Sequence, residues 1–156
     1  MKDKKKSILL FILFILFFLF LIYIFRIFLR PVEIIAVHED DNYSSVLVKN
    51  FPMTDKGKIN WWLKNKNMLK SHYGIPRPAS YGGYNVTFWL FDEGYKDEGG
   101  YDRLCFKDMK GPINCIEKDA VFSVDNSTNL GTIFTVYNGR HYRIDKRGEV
   151  VEIPTK

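Results

Sequence analysis

Cys105 and Cys115 are the only cysteines in the chain. Met109-Lys110-Gly111-Pro112 between them reads as a turn. A hairpin there places the two thiols nearly opposite each other, and an even cysteine count outside the cytoplasm points to a disulfide. Redox catalysis calls for close Cys-x-x-Cys spacing, which is absent. His38, His72 and His141 are scattered without metal-ligand spacing. The run His38-Glu39-Asp40-Asp41-Asn42 has neither the spaced oxygen ligands nor the Gly of a calcium loop, so it reads as a solvated polar turn. The carboxylate pairs Asp92-Glu93 and Asp97-Glu98 lie in a Gly-rich polar connection where solvation accounts for them. No nucleophile elbow, zincin motif, P-loop or dinucleotide fingerprint occurs. This inventory predicts no catalysis, no cofactor and no metal.

Recognition is the chemistry that remains, and Trp and Tyr are the residue types enriched at binding hot spots. Trp61, Trp62, Tyr81 and Tyr84 are the candidate partner-binding residues. Neighbours on a helix are about 100° apart. Trp61 and Trp62 therefore either share a wide core contact or leave one ring exposed for a partner. Tyr81 and Tyr84 belong to residues 74–85, GIPRPASYGGYN, a long Pro/Gly/Tyr loop of the kind that carries recognition on a rigid scaffold.

The elements that must hold these residues follow from local signals. Thr54 caps a helix over Asp55–Tyr73, Gly74 suits the left-handed position after it, and Pro76 blocks continuation. Ile59, Trp62, Leu63, Leu69 and Tyr73 form its apolar stripe, and Lys56, Lys58, Lys64, Lys66 and Lys70 a solvated face. Val32–Val37 and Ser45–Lys49 read as strands of a hairpin, and Val86–Phe91, apolar on both faces, as a central strand. Asp92–Asp102 reads as a polar connection. Near the end, Asn138-Gly139 signals a two-residue hairpin turn pairing Tyr137 with Arg140, Thr135 with Tyr142 and Ile133 with Ile144. A second turn at Arg147-Gly148 pairs Ile144 with Val151, Arg143 with Glu152 and Tyr142 with Ile153. In that register Ile133, Tyr142, Ile144, Val151 and Ile153 share one face, and Arg143 and Glu152 the other. The predicted fold class is α+β, with an antiparallel sheet and one main helix.

Ahead of this domain runs Ile8–Leu29, ILLFILFILFFLFLIYIFRIFL, with no charge before Arg26. As a helix it reaches about 33 Å, enough to cross a hydrocarbon core of about 30 Å. It exceeds the apolar core of a signal peptide and lacks a small-residue cleavage site, so it reads as a retained anchor. The predicted organisation is a basic tail over 1–7, a span over 8–29 and a domain over 31–156. Six of the 23 basic residues precede Pro31 with a single acid, which leaves 17 basic against 17 acidic residues beyond it. The net charge of +5 is thus a topology signal and not a nucleic-acid footprint. Four Lys ahead of the span predict a cytoplasmic N-terminus and an external domain.

Phe51–Pro76, FPMTDKGKINWWLKNKNMLKSHYGIP, carries an FP-x-T turn, an I-x-WW-x-x-NK helix and a Tyr-x-Ile-Pro exit. With the NG-x-x-YR-x-D-x-x-G segment near the end, the chain resembles an enterobacterial membrane-protein family, domain of unknown function 943. The resemblance implies a bacterial inner-membrane protein, which makes the external domain periplasmic. It brings no catalytic residues. The expected role is binding of another protein by the periplasmic domain. The alternative is an immunity-type protein that neutralises a toxin acting in the periplasm.

Overall fold

The computed structural model describes residues 2–154. Met1 of the expected tail and Thr155 and Lys156 of the expected domain lie outside them. The chain divides into two units, Met1–Pro31 and Val32–Lys156.

The first unit is one helix, α1 (Lys2–Phe28), with Arg26 in its last turn, where a cation suits the helix dipole. Its apolar span, Lys4–Ile27, is long enough to cross a membrane, and none of it is buried. A helix that is apolar all round and uncovered by protein matches a lipid environment.

The second unit begins with the antiparallel hairpin β1 (Glu33–Asp40) and β2 (Tyr43–Lys49). The expected polar turn over His38–Asn42 is corrected: the strand continues to Asp40 and only Asp41-Asn42 turn. β1 is an edge strand, so Glu39 and Asp40 can stay extended and reach Arg77 and Lys107, while His38 turns inward and is buried. Asp41 takes a positive φ of 57°, a conformation Asp tolerates.

Helix α2 spans Asp55–Tyr73. The Thr54 hydroxyl accepts from Gly57 N at 3.1 Å, and Gly74, at φ 74°, closes the helix in the left-handed region. Ile59, Trp62 and Leu69 are buried; Tyr73, expected in the stripe, is exposed. Because α2 crosses over from β2 to β3 (Tyr84–Leu90), these two strands pair in parallel. Beyond them come β4 (Lys96–Asp97), β5 (Leu104–Cys105), β6 (Ile113–Ile116), β7 (Ala120–Ser127), β8 (Gly131–Val136), β9 (Arg140–Ile144) and β10 (Val150–Ile153). The main sheet runs β1-β2-β3-β7-β8-β9-β10 and is otherwise antiparallel, giving the predicted α+β class. A second sheet, β4-β6-β5, packs on its other face. β4 lies within Asp92–Asp102, where a strandless connection is expected.

β3 is interior, as its two apolar faces predict. Val86 and Phe88 join the core under α2, with Val46, Phe122 and Phe134. Trp89 points the other way and packs with Leu47, Phe106 and Ile116 against the small sheet.

The two C-terminal registers are corrected by one residue. Val136 pairs with Arg140 and Ile144 with Val150, so each turn holds three residues, 137–139 and 146–148. Gly139 (φ 93°) and Gly148 (φ 81°) take the left-handed third position of a three-residue hairpin loop. One residue of slip exchanges the faces. Tyr142 and Ile144 share a face with Phe134, Ile133 and Val151 lie on the other with Arg143, and Arg143 and Glu152 are on opposite faces.

Candidate functional site

β1 runs from Glu33, where the chain enters the domain, to the Asp41-Asn42 turn. At this turn end the Pro/Gly/Tyr loop comes back over the sheet. Asn42 Nδ2 donates to the Gly83 carbonyl at 3.3 Å and to Tyr81 Oη at 3.4 Å. Arg77 lies 2.6 Å from Glu39. Between loop and strand runs an open groove of about 790 Å³, bordered by Val37, Glu39 and Asp41 on one side and Arg77, Pro78 and Tyr81 on the other.

The four candidate aromatics separate clearly. Trp62 is buried, with 3% of its surface exposed, and meets Phe88 edge-on. Trp61 is half-buried and packs edge-on against Phe51 and Phe88, with ring centroids 5.4 and 5.7 Å away. Both tryptophans therefore enter one core, and Trp62 offers no surface to a partner. Tyr84 is half-buried in β3 against the same core. Burial pushes its phenol up, against a smaller opposing effect of its bond with Thr132. Tyr81 is the exposed member of the set, at 63%.

Cys105 and Cys115 stand directly across β5 and β6, with their sulfurs 2.06 Å apart, a disulfide distance. The hairpin they close leads into Phe106 and Asp108, which fasten it to β1. His38 Nδ1 lies 3.0 and 2.9 Å from the two Asp108 oxygens, and Nε2 lies 2.8 Å from Tyr95 Oη. The imidazole also stacks on Phe106 at 3.8 Å. Burial, and then the Asp108 charge, push the Tyr95 phenol up. Beside an acceptor-only carboxylate, Nδ1 donates to Asp108. With both nitrogens engaged, the ring acts as a clamp between the two sheets.

Beside this clamp lies a cleft of about 300 Å³ lined by Ser45, Thr87, Trp89 and Phe106. The sequence carries no spacing signal for the clamp, because Asp108 and Tyr95 lie 70 and 57 residues from His38. Among the described residues, no group of three or more His, Cys, Asp or Glu is placed to hold a metal ion.

No curated protein and no solved structure gives a significant match to the chain. Residues 2–154 match the family described as enterobacterial putative membrane protein, domain of unknown function 943. With its apolar N-terminal helix and a match over nearly the whole sequence, the chain belongs to this membrane-protein family.

Proposed function

We propose that the chain is a single-span inner-membrane protein with a cytoplasmic N-terminus, whose periplasmic domain binds another protein and performs no catalysis. The observation that carries this reading is the open groove between β1 and the loop bearing Arg77, Pro78 and Tyr81. Its lining includes an exposed tyrosine, Tyr81. Tyr is a residue type that supplies binding energy at interface centres. The membrane tether adds affinity by raising the local concentration near envelope partners.

The test is a photo-crosslinking amino acid at position 81 in intact cells, with captured proteins identified by mass spectrometry. An envelope protein captured at this position supports the reading. Tyr81→Ala should then weaken binding of that protein by about 2 kcal/mol without changing the thermal unfolding of the domain. Capture of a secreted toxin, with cells sensitised when this chain is deleted, favours the immunity role. No capture at position 81, together with substrate turnover by the purified protein, overturns binding in favour of catalysis.

A further inference from the structure

The groove borders a strand whose outer edge is unpaired. Among the described residues, β1 ends the seven-stranded sheet and pairs with β2 alone. Which of its backbone groups face outward follows from the neighbouring strands. The Asn42 carbonyl accepts from Asn85 N and the Val48 carbonyl from Phe91 N, so the even-numbered residues of β2 bond toward β3. Tyr43 and Ser45 then bond toward β1, to their partners Asp40 and His38. Val37 and Glu39, in the alternate positions, turn their N–H and C=O groups outward. These are the β1 residues that border the groove.

Edge strands are commonly blunted against such pairing, and a bulge does this here. It is confined to Ile34–Ala36, in the other half of β1. The half beside the groove is regular.

Charge identifies the occupant. Glu39, Asp40, Asp41 and Asp108 gather around this edge, against Arg77 on Glu39, Lys107 on Asp40 and the His38 imidazole on Asp108. The surplus is negative. A second copy docked through the same edge would set these carboxylates against their own counterparts. We propose that the Val37–Asp41 edge receives an extended, lysine- or arginine-bearing segment of a partner protein as an added eighth strand. Backbone bonds to Val37 and Glu39 supply affinity, and the acidic surplus selects the sequence. The proposal rests on the protein-binding reading above and names its mode.

The test uses the full chain in detergent and a synthetic eight-residue peptide alternating Lys and Val. It should bind saturably and slow hydrogen exchange at the Val37 and Glu39 amides. The same peptide with Glu for Lys, or N-methylated at alternate backbone positions, should bind at least about tenfold more weakly. Asp41→Asn, which removes one charge and keeps a residue that accepts the positive φ, should weaken the Lys peptide about threefold at low salt. Equal binding of the N-methylated peptide, protection confined to other amides, or no binding of the Lys peptide overturns strand addition. If capture at position 81 persists in that case, protein binding stands and only its mode is lost. Capture of a second copy of this chain by the crosslinker also overturns the proposal.

Discussion

Asp55 opens α2, and its carboxylate is shared by side chains from the β8–β9 hairpin. Tyr142 Oη donates to it at 2.7 Å, Asn138 Nδ2 donates at 3.2 Å, and Arg140 Nε lies 3.2 Å away. Burial pushes this carboxyl up, but the bonds from Tyr142 and Asn138 and the charges of Arg140 and Lys58 outweigh it and bring it below its ordinary range. A lowered folded value means the stabilisation is present above the unfolded carboxylate value of about 3.9 and lost as pH falls through the folded one. Asp55→Asn should therefore cost about 2 kcal/mol in urea unfolding at pH 7, and its deficit against the natural chain should shrink below about pH 4. A deficit unchanged by acid would place the effect in helix capping and not in the shared carboxylate. At the same scale the two kinds of aromatic part company. Trp62→Ala empties a buried site and should cost about 3–5 kcal/mol. Tyr81→Ala, on the surface, should stay within about 0.5 kcal/mol of the natural chain in the same urea series.

Among the elements, the small sheet depends most on a covalent link. Its three strands are short, two to four residues each, and bury little on their own. The Cys105–Cys115 pair closes the β5–β6 hairpin, and the His38–Asp108 clamp fastens that hairpin to β1. By the loop-entropy relation a bridge of this span stabilises by about 3 kcal/mol. Reduction, or the double change Cys105→Ser and Cys115→Ser, should lower the unfolding free energy by about that amount, read by denaturant titration with and without reductant. Trp89 fluorescence should report the loss first, since Trp89 packs against this layer. In native membranes, alkylation without reductant should leave both cysteines unmodified. Two freely alkylated thiols would show that the bridge does not form there.

For the whole molecule, the decisive feature is where charge lies along the chain. Lys2, Lys4, Lys5 and Lys6 precede the apolar stretch Ile8–Leu29, while the residues beyond Pro31 are balanced. The positive-inside rule then orients the proposed topology. Alkaline phosphatase fused after Lys156, which needs the periplasm to fold, should be active. Activity of a cytoplasm-only reporter at the same position would reverse the orientation and remove the periplasmic partner class. Within the Val32–Lys156 unit, the groove lies toward the Asp41-Asn42 end of β1.

Local signals were enough wherever the deciding interaction is local. The α2 boundaries follow from Thr54 and Gly74, because capping satisfies backbone groups within one turn of the helix. The apolar span follows from composition, and the opposed cysteines from the turn between them. The C-terminal registers did not follow, because Asn138-Gly139 and Arg147-Gly148 suit both two- and three-residue loops, and the choice between them moves every side chain to the other face. β7, with Asp125 and Asn126 in its second half, carries a weak strand pattern; it is a strand because β3 and β8 flank it. The fate of His38 depended on partners far along the chain, and the groove on segments 37–42 and 77–81, which the β2–α2–β3 crossover brings to one end of the sheet, together with Asp108. Chain connectivity says nothing about such pairings until the sheet order is set, because contacts between distant segments are selected by the burial of whole faces and not by any residue's neighbours.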